Sequence, residues 1–112
     1  LLLITHDLGI VAEICDRVYV MYAGKIVEFG NVYSVYTKGE HPHTQGLLKC
    51  VLSMDGSSEK ISTIEGDVPN LSQPPEGCRF HPRCPHAMPR CTKGDVPFVR
   101  SGESQVACWL YK

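Results

Sequence analysis

The chain opens on an unbroken apolar run, residues 1–4, closed by Thr5 and followed by the polar pair His6-Asp7. A short continuous run of this kind predicts a strand over 1–5 buried on both faces, as in parallel sheets. The period then changes. Leu8, Val11, Ala12 and Cys15 recur at the spacing of one helical face, and Asp7 or Thr5 stands where a cap accepts backbone N–H groups. Residues 17–23 (RVYVMYA) and 25–29 (KIVEF) are rich in β-branched and aromatic side chains around a Gly-containing turn, which predicts a hairpin. Residues 31–37 read as a short helix. Residues 43–53 read as another, with Pro42 suited to its first turn. The polar stretch 54–60 is the expected linker, and 61–64 a short strand beyond it.

From Gly66 onward the periodicity stops. This part carries seven of the eight prolines and four of the six cysteines. Such a segment builds little regular structure, so something other than backbone pairing must hold it. The expected organisation is an α/β unit over 1–53 (strand, helix, hairpin, helices), a linker over 54–60, and an irregular Cys-rich module over 61–112.

Composition narrows the functional classes. With 112 residues and 43% hydrophobic content a real core is affordable. The net charge of -1 leaves no electrostatic footprint for nucleic acid. No apolar run approaches the roughly 18 residues of a membrane span. The first residues lack the basic flank and length of a signal peptide. The opening Leu-Leu-Leu reads as entry into the middle of a strand, so the chain is expected to be a piece of a longer protein. Without a secretory signal the six cysteines are read for a reducing compartment, where clustered thiols more often bind metal than pair as disulfides.

Three constellations carry chemistry. A strand ending in Thr5-His6-Asp7 and feeding a helix puts His6 at the carboxyl edge of a sheet, where open α/β folds bind ligands. In isolation a histidine at such a place is more often a hydrogen-bonded strand terminus than a functional group. The wider string LLLITHDLGIVAEICDRVYVMYAGKIVEFG, however, closely resembles the end of an ABC transporter nucleotide-binding domain. The resemblance implies that His6 is the switch histidine, which senses the γ-phosphate of ATP and positions the attacking water. The phosphate-cradling G-x-x-x-x-G-K-[ST] loop, the acidic pair that serves Mg²⁺ and the signature motif of that family are all absent from the chain. The chain alone is therefore expected neither to bind nor to hydrolyse Mg-ATP usefully.

In the second constellation, His41-Pro42-His43-Thr44 precedes Leu47-Leu48. One histidine pair is too few ligands for a metal site, so the run reads first as a helix start. It also resembles the H-P-Y-T-x-x-L-L of oligopeptide and dipeptide importers, within the peptide and nickel group of ABC ATPases. Here His43 stands where tyrosine is usual.

The third is the set Cys78, Cys84, Cys91 and Cys108, separated by five, six and sixteen residues. Four thiolates are a sufficient ligand set for a [4Fe–4S] cluster or a structural zinc ion. Residues 78–94 hold no Asp or Glu but include Arg79, Arg83, Arg90 and Lys93, cations that favour an anionic centre. Zinc sites usually pair cysteines about two to four residues apart, and these gaps are wider. His81 and His86 are read as neighbours of the centre, and Cys15 and Cys50 as small core residues. Cluster, zinc, and disulfides or free thiols all stay open on the residues alone. Residues 68–111 also resemble the C-terminal extension of peptide-importer ATPases, which implies a [4Fe–4S] cluster at these cysteines.

Taken with its family resemblance, the chain is expected to be the C-terminal part of an ATPase subunit driving peptide import. Implied partners are a second ATPase subunit and transmembrane permease subunits, with peptide cargo reaching other subunits. The implied location is the cytoplasmic face of the cell membrane, as a peripheral protein. Self-association through an open edge of the 1–5 strand is a further expectation. The rival readings are a free-standing metal-binding or redox module without a transport role, and a secreted disulfide-stapled domain.

Overall fold

A computed structural model describes residues 1–54 and 66–112, with side chains through residue 51 in the first stretch. Asp7 starts the first helix, α1 (Leu8–Ile14), by accepting the N–H groups of Gly9 and Ile10 on one carboxylate oxygen at 3.0 and 3.2 Å. Thr5 contributes one step earlier, its hydroxyl accepting the Asp7 N–H at 3.0 Å. Of the apolar face, Val11 is buried, Leu8 and Cys15 are half-buried, and Ala12 is exposed. α1 is tied to the next helix by the Tyr36 hydroxyl, which donates to the Leu8 carbonyl at 2.7 Å.

Strands β1 (Arg17–Tyr22) and β2 (Lys25–Asn31) form the expected hairpin, with Arg17 opposite Asn31 and Tyr22 opposite Lys25. Its turn runs through Ala23 and Gly24 with φ of 48° and 82°, the positive values that match a tight turn to the strand twist. Tyr19 and Phe29 stack across the pair with ring centroids 5.0 Å apart. Asn31 then caps α2 (Val32–Lys38) by accepting the Tyr33 N–H, and α3 runs Pro42–Met54. Met54 thus belongs to the helix rather than the linker. The remainder of the expected linker and the 61–64 strand lie outside the described residues.

Two expectations need correction. Residues 1–5 form no strand, and Leu1, Leu2 and Ile4 are exposed. A strand of a parallel sheet exists only when neighbours supply the ladder, and among the described residues none pairs with this segment. The second correction concerns the tail, which is less irregular than its prolines suggest. Strands β3 (Val99–Ser101) and β4 (Ser104–Val106) make a small hairpin, and β4 pairs antiparallel with β2. The result is one four-stranded antiparallel sheet in the order β1-β2-β4-β3. Gly30 permits the junction: a Cβ there would lie 2.8 Å from the Ser104 Cα.

The core also joins the two parts. Tyr22 and Val27 of the hairpin pack with Phe80 of the tail, and Val20, Ala23, Cys78 and Cys84 close around them. Phe80 is 2% exposed. Its ring meets Tyr22 edge-on at 5.0 Å. Burial of an aromatic side chain of this size contributes about 1.5–3 kcal/mol.

Candidate functional site

The tail brings its four cysteines to one place by local devices. Gly77 turns the chain with φ of 75°, and a Cβ there would meet the Cys91 carbonyl oxygen at 2.3 Å. That close approach lets the Cys78 N–H donate to the Cys91 carbonyl at 2.9 Å, pinning the first cysteine to the third. A 3-10 turn over His81–Arg83 follows, and the Cys84 N–H closes it on the His81 carbonyl at 3.3 Å. The His81 Nδ1 donates to the Cys78 carbonyl at 2.8 Å. A second 3-10 turn, Pro89–Thr92, buries Cys91, and the Met88 N–H donates to its sulfur at 3.4 Å. The sheet delivers the fourth cysteine: the Ala107 N–H bonds to the Val27 carbonyl at 2.8 Å, and Cys108 is next along the chain.

Cys78, Cys84, Cys91 and Cys108 all line one apolar cavity of about 10 Å³, together with Phe80, Met88 and Trp109. None of the six cysteines is joined in a disulfide among the described residues. Burial pushes the thiols of Cys78 and Cys84 up, and that of Cys108 up to about 11, with the neighbouring cysteines adding to the effect. Backbone N–H groups work the other way. Phe80 and His81 favour the thiolate of Cys78, His86 that of Cys84 and Leu110 that of Cys108. With the Met88 N–H on Cys91, each of the four sulfurs has main-chain donors directed at it. Among the described residues no three His, Cys, Asp or Glu side chains converge tightly enough to hold a single metal ion. Zinc–sulfur bonds of about 2.3 Å would require such convergence.

Beside the cavity sits the start of α3. Glu28, 0% exposed, accepts the N–H groups of Glu40 and His41 on its two carboxylate oxygens, each at 2.9 Å. His41, 1% exposed, accepts the His43 N–H on Nδ1 at 3.0 Å, so the run is the helix start that the sequence suggests. The tail clasps the same turn. Tyr111 donates its hydroxyl to the Glu40 carbonyl at 2.7 Å, and Ser101 donates to the Glu40 carboxylate at 2.8 Å. Burial, with His43 second, lowers the His41 pKa to about 3. Burial and then Arg83 lower that of His43 to about 4, partly offset by a hydrogen bond to the Met21 backbone.

The basic residues of the tail have specific posts. Arg79 donates to the Ala23 carbonyl and Arg83 to the Tyr22 hydroxyl, which fastens the tail to the β1–β2 hairpin. Arg90 lies over the Trp109 ring at 3.9 Å and Lys112 near it at 5.3 Å. His6 lies in an exposed bend ahead of α1 and is not among the residues lining the cysteine cavity. Sequence reasoning missed the part played by Glu28, and it missed that His41 and Trp109 line the same cavity as the cysteines. No local pattern could have disclosed these contacts, which close over long sequence separations.

Comparison with known proteins places this architecture. The family model described as "Oligopeptide/dipeptide transporter, C-terminal region" matches residues 27–91, and the chain belongs to that family. The matched stretch includes Glu28, the His41-Pro42-His43 turn and three of the four cavity cysteines. Among its relatives is the dipeptide transport ATP-binding protein DppD of Caldanaerobacter subterraneus subsp. tengcongensis, 41% identical over 113 residues, covering 100% of this chain and 35% of the relative. The oligopeptide transport ATP-binding protein AppD of Bacillus subtilis is 45% identical over 114 residues, covering 100% and 34%. OppD of Escherichia coli, an oligopeptide transport ATP-binding protein, is 50% identical over 92 residues, covering 82% and 27%. The chain thus spans about a third of the length of the curated relatives it matches. Among the described residues no helix is long and apolar enough to cross a membrane.

Proposed function

We propose that this chain works as the C-terminal part of an ATPase subunit that drives peptide import through an ABC transporter. The family match over residues 27–91 carries the reading, supported by relatives named as dipeptide and oligopeptide transport ATP-binding proteins. In that role His6 acts as the switch histidine, its imidazole N–H donating to a γ-phosphate oxygen of ATP or orienting the attacking water. The rest of the nucleotide site comes from outside this chain, since the sequence holds no phosphate-binding loop. Its partners are a second ATPase subunit and membrane-spanning permeases, and it works at the cytoplasmic face of the membrane.

The test is a transporter in proteoliposomes whose ATPase subunit carries this sequence. Substitution His6→Ala lowers ATP-driven peptide uptake by about 100-fold or more, the scale of losing one positioned group in phosphoryl transfer. Uptake unchanged by His6→Ala contradicts the role given to His6.

The second part of the proposal concerns the tail. Cys78, Cys84, Cys91 and Cys108 hold a [4Fe–4S] cluster, which when bound supplies a rigid cross-link and one-electron chemistry. The donor set fits: four free thiols line one cavity, and main-chain N–H groups aim at each sulfur. A cluster is larger than one ion, so its ligands stand further apart than the tight convergence zinc demands. The cavity, whose present volume is near that of a single water, would have to widen to admit it. In this reading residues 61–112 form an accessory module serving the ATPase part, and its centre is structural or regulatory rather than catalytic.

A further inference from the structure

Two ring N–H groups beside the four cysteines have nothing to bond to. His41 Nε2 and Trp109 Nε1 are both buried and without a partner, and both side chains line the cysteine cavity. The tautomer of His41 follows from its other nitrogen. Nδ1 accepts the His43 N–H at 3.0 Å, so the ring proton of the neutral imidazole resides on Nε2. Indole nitrogen is a donor only. Buried donors without acceptors are rare and costly, and they are a sign of an acceptor the protein is built to receive.

The surroundings say which kind. The cavity wall is apolar apart from its sulfurs and the rings of His81 and His86, and the His81 Nδ1 is already committed to the Cys78 carbonyl. Neutral thiols are weak acceptors, whereas thiolates on a metal centre are strong ones. Both residues are also held from outside the cavity. Glu28 holds the His41 backbone at 2.9 Å, and Arg90 covers the Trp109 face at 3.9 Å. Groups that orient and tune a metal site are held in this way by neighbours of their own.

We propose that His41 Nε2–H and Trp109 Nε1–H are positioning residues that donate hydrogen bonds to the sulfurs of the centre held by Cys78, Cys84, Cys91 and Cys108. The inference rests on the cluster reading of those cysteines. Donors to the sulfurs favour the more negative, reduced form, so the pair raises the reduction potential of the centre. It also couples the centre to the start of α3, because the same His41 ring caps that helix and its backbone is bound by Glu28 of the sheet.

The experiment is a redox titration, followed by absorbance, of the chain reconstituted anaerobically with ferrous iron and sulfide. His41→Asn keeps an acceptor for the His43 N–H but removes the Nε2 donor. Trp109→Phe removes the Nε1 donor and lies outside the helix cap. His41→Gln restores a donor near the Nε2 position. Each variant without the ring N–H is expected to shift the reduction equilibrium about tenfold toward the oxidised form, about 59 mV lower for a one-electron couple. His41→Gln is expected to return most of that shift. A potential unchanged in an iron-loaded variant without the ring N–H overturns the assignment of that residue. If His41→Asn does not take up iron, Trp109→Phe decides alone: a lowered potential supports the proposal and an unchanged one overturns it. Failure of the unsubstituted chain to take up iron and sulfide overturns the cluster reading itself, a result distinct from unchanged potentials in loaded protein.

Discussion

Glu28 and His41 are joined by a hydrogen bond of 2.9 Å from the His41 backbone N–H to a carboxylate that is itself wholly buried. The other carboxylate oxygen takes the Glu40 N–H at the same distance. One acidic side chain from the middle of β2 therefore receives the turn that opens α3, and it links the sheet to the cysteine cavity through His41. Glu28→Gln replaces one acceptor by an amide that points its own N–H at a donor. It is expected to destabilise the fold by about 2–3 kcal/mol, the scale of a lost hydrogen bond to a buried charged group. Urea unfolding of the two proteins checks this, and equal midpoints would contradict the role given to Glu28.

The buried histidines predict a pH dependence with a definite sign. His41 and His43 have folded-state pKa values lowered to about 3 and about 4, whereas the unfolded chain titrates near 6.5. Below about pH 6.5 the unfolded state binds more protons than the folded one, so stability falls as pH falls. The contribution is intact above that point and is lost progressively toward pH 4 for His43 and pH 3 for His41. Each ring contributes a slope of roughly 1.4 kcal/mol per pH unit inside its window. Thermal or urea unfolding measured from pH 7 to pH 4 should show the decline, and His41→Asn should make it shallower. Stability that is flat between pH 6.5 and 4 would contradict the burial of both rings.

Phe80 is where the tail enters the core. It packs on Tyr22 at 5.0 Å, on His43 at 5.4 Å and on His41 at 5.6 Å. Phe80→Ala is expected to cost about 3–5 kcal/mol, the range for emptying a buried aromatic site. Because the ring bridges the parts, amide hydrogen exchange should rise in β1 and β2 as well as in the tail. A rise confined to residues 77–112 would show that the hairpin does not depend on this contact.

Much of the first half was legible in the sequence. The hairpin and its Gly-containing turn, the Asp7 cap, the Asn31 helix and the Pro42 helix start all follow from local rules of period, capping and turn chemistry. The 1–5 strand did not form, because apolar continuity marks burial but the ladder partner is not a local property. Strands β3 and β4 escaped notice because each is only three residues long and carries Ser, Arg or Gln, too short for an alternation to register. The four cysteines were singled out by spacing and residue type alone, and the fold lays all four against one cavity. His41 and Trp109 were not, since a histidine that caps a helix and a tryptophan after the last cysteine look ordinary until the fold lays both against one cavity.

What the cysteine cavity holds decides the role of the tail. The decisive measurement is iron, acid-labile sulfide and zinc per chain in anaerobically purified protein, with an absorption spectrum of the same sample. We expect close to four irons and four sulfides with a broad band near about 400 nm, the charge-transfer signature of a thiolate-bound cluster. Stoichiometric zinc in a colourless protein, or no metal at all with all six thiols titratable, would contradict the cluster and leave the transporter assignment to rest on the family match alone.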